Sequence, residues 1–461
     1  MKTRAMRRVA ARDTWARLSV SFWFAPALFA LAAVLLAWTM YGLDERVPNE
    51  ALANSPFILT GSVAELRGYL LSMAGTVLAT AGVVFTLLTL PLSTVVAQYG
   101  SRLLRVFLGD RTTQLVLAMF VGTFVYCIAA AMSIPAVDVQ PEGPQLTATV
   151  GLLLLLATFA SLILLTQHIS TMLQAPNIAA GAGAQLLAIV GAEIPGAVRS
   201  AEPQRQAGQG APNLLPEGDG LPLRVSDHGY IQTVDPDYIL TLAHEQDLVV
   251  RLVRKPGHFV WSNEVVALVW PADRIDERLE RQIRRAFRLG NQRTPTQDVE
   301  CAVNHLVEMA VRAMSPAIND PFTAMTCLDY LGNGLSLIAQ QGEEDVNIFD
   351  QDGRLRLVFE PVTFDVLLNA AFDMLRHASC DNATVLLHML AVIAAIGRGT
   401  AAFEARQMLL RHVNLILAES QAGALIEEDR RAIQQRGEAL RQTLAVASGT
   451  PPGAPPSRPP A

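Results

Sequence analysis

Asp298, Cys301, His305, Glu308 and Arg312 recur at spacings of three and four, which places them along one face of a helical stretch. Cys301 and His305, one turn apart, bring together a thiol and an imidazole, the pair with which a protein begins a zinc site. Zinc needs four ligands, and no second cysteine–histidine pair stands nearby in the sequence. The competing reading, an ion-paired polar face, accounts for the same residues. The sequence therefore assigns no metal ligand, no catalytic residue and no cofactor.

Other polar residues invite a functional reading at lower specificity. In the connection SPAINDP, Asn319 and Asp320 could form a functional loop. Local geometry explains them equally well, since Pro316 and Pro321 stop and start helices and Asp320 caps the second. His168 stands at the end of an apolar run, where it could sense pH or gate a pore. Thr86 lies in a run rich in glycine and hydroxyl residues, and Pro91 can kink its last turns. Arg102, Arg105 and Arg111 form a basic cluster that either binds lipid phosphates or sets topology. GxSxG, HExxH, phosphate-loop and dinucleotide-binding signatures do not occur in a fitting context.

The elements that must hold these residues begin with four apolar runs, at about residues 21–43, 68–96, 115–134 and 146–173. Each reaches the roughly 20 residues needed to cross the hydrocarbon core of a bilayer. None has a charged residue through its centre, and Trp23, Trp38, Tyr41, Tyr69 and Tyr126 lie toward the ends. The first run is too long for a signal-peptide core and lacks a small-x-small cleavage site, so it reads as an anchor. Lys2, Arg4, Arg7, Arg8, Arg12 and Arg17 crowd the N-terminal tail, and the arginine cluster lies between the second and third runs. The two opposite loops are acidic, so the positive-inside rule predicts cytoplasmic N- and C-termini. Residues 177–198 could form a fifth span; Glu193 and the prolines at 176 and 195 favour an interfacial or packed helix instead.

The remainder reads as a soluble α+β region. Residues 176–222 carry that helix and a Pro/Gly-rich linker, and residues 223–272 contain β-branched runs separated by turns, a small β-rich module. Asp235-Pro236 starts a short helix within it. Residues 273–446 show helical periodicity, a helical domain. There Thr294-Pro295-Thr296-Gln297 reads as a capping box, and Asp381 as the N-cap of a helix over 381–397. Residues 1–19 form a basic tail and residues 447–461 a Pro-rich, disordered one. The fold class is a membrane α-helical protein: a four-helix transmembrane region (residues 20–175) with a cytoplasmic α+β region.

Composition bounds the function classes. Of 461 residues, 51% are hydrophobic and only 17% charged, against about 25% charged in an ordinary soluble protein. A formal net charge of −6, with no basic stripe interleaved with aromatics, argues against nucleic acid as a partner. Four scattered cysteines, Cys127, Cys301, Cys327 and Cys380, make no disulfide framework. The spans contain no carboxylate, which argues against an ion-coupled pump.

Several segments resemble one family. "SFWFAPAL", "QYGSRLLRVFLGDRTTQLVLAMFVGTFVYC", "HGYIQTVD", "GHFV" and "RTPTQDVECAVNHLVEMAVRAMSPAINDPFTA" occur in order over nearly the whole chain. They are similar to the bacterial family of predicted membrane proteins called DUF2254. The resemblance implies a four-span anchor with a cytoplasmic domain and supplies no activity or catalytic residue. Family members carry phenylalanine at position 301 and arginine-glutamine at 304–305, where this chain has Cys301 and Asn304-His305, so a family-wide metal site is not implied. The expectation is a multi-pass protein of the bacterial inner membrane, embedded in the lipid bilayer as a homo-oligomer. A channel or permeability protein with a cytoplasmic gating domain is the leading reading. The alternative is a membrane-anchored sensor or scaffold, and either favours a non-enzymatic role.

Overall fold

In a computed structural model the described residues are 23–47, 58–99, 110–134, 143–172, 174–191, 219–341, 347–350, 352–360, 362–400 and 402–446, the side chains of 87, 88 and 90–99 excepted. The chain divides into two units, Met1–Asn177 and Ile178–Ala461.

The first unit holds four helices long and apolar enough to cross a membrane: α1 (Phe24–Asp44), α2 (Val63–Tyr99), α3 (Arg111–Ser133) and α4 (Gln145–Met172). The third is central: α1, α2 and α4 all pack on it, and about half of its apolar stretch is buried. One glycine lets α4 approach α2, and another lies where α3 meets α1. A Cβ at Gly151 would lie 2.8 Å from Leu70 Cδ2, and one at Gly122 would lie 3.4 Å from Phe29 Cβ. Tyr126, Phe120 and Leu70 fill the interior. Its buried hydroxyls are paired, with those of Thr123 and Thr158 2.8 Å apart and that of Tyr126 donating to Thr147 O at 2.9 Å.

The second helix is longer than its apolar run. Ser62 and Glu65 form a reciprocal cap, Ser62 N donating to Glu65 Oε2 at 2.9 Å and Glu65 N to Ser62 Oγ at 3.4 Å. From there α2 continues for 37 residues, roughly 55 Å at 1.5 Å per residue. Its helix is unbroken through Pro91.

The second unit opens with α5 (Ala175–Val190), which after its first three residues belongs here. A mixed α/β region follows: β1 (Leu221–Arg224), β2 (Gly229–Val234), α6 (Pro236–Gln246), β3 (Val249–Leu252), β4 (Phe259–Val260), β5 (Val265–Trp270), α7 (Glu277–Arg284) and β6 (Phe287–Gly290). Beyond it come α8 (Val299–Ala313), α9 (Pro321–Gln341), β7 (Asn347–Phe349), β8 (Leu355–Val358), α10 (Phe364–Ala378), α11 (Ala383–Gly399), α12 (Phe403–Ala422) and α13 (Glu427–Val446). One sheet has the order β1-β5-β3-β8-β7 and the other β4-β2-β6. Ile231, Val260, Val250, Val269, Leu357 and Ile283 draw both sheets and α7 onto one core. In the helical part α9 packs on α8, α10 and α11, while α13 packs on α11 and α12.

Three strands fall beyond residue 272, where periodicity predicts helices alone. The residues of β6 continue the charged helical pattern of α7, but Ile231–Leu289 and Val234–Phe287 pairing pulls them into the sheet. The two strands β7 and β8 join the first sheet through a parallel β3–β8 pairing, Val250 opposite Leu357. Asp235 caps α6 as expected, accepting from Tyr238 N at 2.9 Å. Two other caps are corrected. The N-cap of α8 is Asp298, not Thr294, and Cys301 N donates to its Oδ1 at 3.0 Å. That of α11 is Asn382, because Asp381 is engaged by Ala424 N at 2.7 Å.

The apolar segment after α4 is a docked helix. At 16 residues α5 falls short of a span. It lies against α9, where a Cβ at Gly183 would collide with the Tyr330 ring and one at Gly334 would come within 2.5 Å of Leu186 Cδ2.

Candidate functional site

The outward face of α2 is built by spacing alone. Leu66, Leu70, Ala74, Val77 and Val84 are buried against the bundle. Gly68, Gly75 and Gly82, spaced by seven, lie opposite with Ala79 and Thr86. A Cβ at any of these three glycines would meet nothing within 4 Å, in contrast with Gly122 and Gly151 inside the bundle. Thr86 and Thr89 stand on the same side of the helix, whereas Thr76 lies about 100° and Thr80 about 140° round it, toward the buried side. Thr76, Thr80, Thr86 and Thr89 donate to Ser72, Thr76, Gly82 and Phe85 carbonyls at 2.9, 2.8, 3.1 and 2.6 Å. Each hydroxyl is thereby satisfied in hydrocarbon and keeps acceptor lone pairs free.

A carboxylate clasps each end of the bundle. Asp44, the last residue of α1, accepts from Leu146 N and Thr147 N at 2.8 Å and from Thr147 Oγ1 at 2.5 Å, capping α4 from a different helix. Asp110 caps α3 through Thr113 N at 2.8 Å, and His168 Nε2 lies 3.0 Å from the same carboxylate. The structure thus ties His168 to the start of α3. Arg111 follows as the first, exposed residue of α3. Arg102, Arg105 and the side chain of Pro91 lie outside the described residues.

In the second unit three sequence motifs converge on the start of α8. Arg293 holds Asp298 bidentately, Nε to Oδ2 at 2.8 Å and Nη2 to Oδ1 at 3.0 Å, with Asp298 3% exposed. Gln297 accepts from Val234 N at 2.8 Å and donates to Val234 O at 2.9 Å, fastening the end of β2. Gly257, at φ +93°, bonds Ile231 O through its N–H at 2.8 Å, and a Cβ there would overlap the Asp298 carboxylate. "HGYIQTVD", "GHFV" and "RTPTQD" are therefore one latch between the sheet and the helical part. His258 beside it is held below its ordinary value by burial, then by Lys255, Arg254 and Arg293.

Cys301 Sγ and His305 Nε2 lie 3.7 Å apart, and among the described residues no third metal-ligand atom joins them. Asn319 takes the left-handed conformation at φ +47°, and Asp320 caps α9 through Thr323 N at 3.1 Å and Thr323 Oγ1 at 2.5 Å. The Asp320 carboxylate is thus spent on capping α9.

One group of ligand atoms that spacing did not suggest is His244, Asp350 and Asp352. It does not fit a cation. Asp350 Oδ2 already accepts from Arg356 Nε at 2.7 Å and lies 3.1 Å from His244 Nδ1. Its Oδ1 takes Asp352 N at 3.0 Å and Arg354 N at 2.9 Å. The Arg356 guanidinium and the Arg354 amide hold this carboxyl well below the usual range. Arg356 also reaches Asp247 Oδ1 at 2.8 Å, so the cluster is a structural ion network.

Comparison with known proteins agrees with this architecture. The model of the family described as "Predicted membrane protein (DUF2254)" matches residues 19–395. The "Uncharacterized protein Rv1290c" of Mycobacterium tuberculosis is 28% identical over 398 residues, which cover 84% of this chain and 74% of the relative. The "Uncharacterized protein Mb1321c" of Mycobacterium bovis aligns with the same identity and coverage. No solved structure matches the chain. With four membrane-length apolar helices and a family match over most of its length, the chain belongs to the predicted membrane protein family DUF2254.

Proposed function

We propose that the protein is a homo-oligomeric channel of the bacterial inner membrane, with both termini cytoplasmic and its copies meeting along the outward face of α2. The observation that carries this reading is the row Gly68, Gly75 and Gly82, opposite the buried side of α2 with nothing within 4 Å. Small residues let helices approach closely in lipid, where the hydrophobic effect cannot drive association. The interior of each subunit is filled by side chains and its hydroxyls are paired. A path for polar solutes therefore runs between copies, along Thr86 and Thr89.

The test is oligomer mass in nanodiscs together with ion flux in liposomes. Gly75→Leu and Gly82→Leu should break the oligomer and abolish flux without lowering subunit stability, since neither side chain meets a neighbour. Thr86→Leu, on the same face, should weaken the oligomer and cut flux together, while Thr86→Ser should preserve both; Arg105→Glu should alter ion preference. Folded, inserted protein that passes no ion, with oligomer mass unchanged by the leucines, would sink the channel and leave the sensor or scaffold reading.

A further inference from the structure

On the second unit, α9, α11 and α13 leave a groove of about 690 Å³ between them, within the size range of small-molecule sites. Its walls are apolar where they meet: Met325 from α9, Leu387 and Ala391 from α11, and Ala432 and Ala439 from α13. The alanines are exposed and seven residues apart, on a helix whose other exposed positions are glutamates, arginines, glutamines, a threonine and, near its end, Ala445. One turn before Met325, Phe322 is 75% exposed and prolongs the apolar surface.

Between the two alanines stands Arg436. The other arginines of α13 are engaged: Arg430 donates to Gly423 O at 3.0 Å, Arg431 pairs with Glu427 at 3.1 Å, and Arg441 donates to Asn414 at 2.6 Å. Among the described residues Arg436 has neither an ion pair nor a hydrogen bond. The carboxylate of Asp329 on α9 is taken by His388 Nε2 at 2.7 Å. Thr384 and Gln435 add a hydroxyl and an amide to the rim.

We propose that this groove binds a fatty acid, its carboxylate on Arg436 and its acyl chain along Met325, Leu387 and the two alanines. One planar guanidinium matches one carboxylate in a two-bond fork, and the apolar walls take a chain whose transfer from water gains about 0.8 kcal/mol per methylene. The groove lies wholly within the second unit, so the inference does not depend on conduction along α2.

The experiment uses the full chain in zwitterionic nanodiscs, photolabelled with diazirine-bearing palmitate and mapped by peptide mass spectrometry. Labelled peptides are expected from α9, α11 and α13, with oleate competing and oleyl alcohol failing to compete. Arg436→Glu should weaken competition by oleate about tenfold, the loss of a charge-assisted hydrogen bond. Ala439→Trp should reduce labelling by filling the wall, and Arg431→Glu should leave it unchanged. Labelling restricted to the four spans, equal labelling in Arg436→Glu, or equal competition by the alcohol would each overturn the assignment.

Discussion

Gly183 of α5 faces the ring of Tyr330 on α9 so closely that the ring occupies the space a Cβ would need, while Gly181, two residues earlier, has nothing within 4 Å. The same substitution at these neighbours should therefore act in opposite directions. Gly181→Ala gains helix propensity, about 0.5–1 kcal/mol. Gly183→Ala forces α5 off α9 and should cost about 1–3 kcal/mol, the usual penalty of overpacking. Hydrogen exchange along α5 reads both: protection rises slightly for the first and falls for the second. Equal effects would mean that α5 does not dock on α9.

The fate of α5 shows where reading the sequence succeeds and where it stops. Residues 177–198 resemble a span in hydropathy, and Glu193 and the proline at 195, which favour a packed helix, lie outside the described residues; the partner of α5, Tyr330, lies about 150 residues away and no local pattern names it. The four long helices are legible because a bilayer demands a run of about 20 apolar residues and little else satisfies that demand. In the sheets, β6 is hidden because AFRLG continues a helical charge pattern and becomes a strand only by pairing with β2. The TPTQ motif has the spacing of a capping box, yet Gln297 serves Val234 and leaves the cap to Asp298. Of the candidate site residues, Thr86 is placed on a helix face by periodicity. His168 is visible as a residue type, but its contact with Asp110 spans 58 positions.

The latch at Asp298 should be the most sensitive point of the second unit. Its carboxylate caps α8, neutralises a partly buried guanidinium and sits beneath Gly257. Asp298→Ala removes the cap and leaves Arg293 with Glu300 alone, at 3.4 Å, an expected loss of about 2–3 kcal/mol. Asp298→Asn keeps a cap acceptor and should cost less than half of that. Gly257→Ala should be comparably damaging, because the added methyl overlaps the carboxylate at a positive φ. Chemical denaturation of the three variants tests the order; a mild Asp298→Ala would mean that the motif does not hold sheet to helix.

Sulfhydryl chemistry should be slow throughout the second unit. Burial pushes the Cys327 thiol up to about 12, and burial followed by the Asp381 and Glu419 charges raises Cys380. A thiolate is the reactive form, so maleimide at neutral pH should label Cys327 only after denaturation and Cys380 sluggishly. Rapid labelling of native Cys327 would contradict the packing of α9 on α11.

Acid sensitivity should centre on His412 in α12. The side chain is fully buried, neither ring nitrogen has a hydrogen-bond partner, and the Phe372 ring lies 5.6 Å away. Around it stand Asp373, whose carboxylate is 4.0 Å from Nδ1, and the charges of Arg411, Asp365 and Arg376. Burial is the largest influence and lowers the value from 6.5. The sign follows from proton counting: below about 6.5 the unfolded chain takes up a proton that the native imidazole refuses. Stability is thus full above 6.5 and falls with falling pH, by at most about 1.4 kcal/mol per unit, until the native imidazole also protonates. His412→Leu removes the titrating group and two unpaired buried nitrogens, so it should be neutral or stabilising at pH 8 and clearly stabilising at pH 5.5. Carboxylates elsewhere titrate equally in both proteins, which makes the difference between variant and wild type the readout. Hydrogen exchange of α10 and α12 at the two pH values measures it. A constant difference across that range would show that the imidazole does not change its proton affinity on folding.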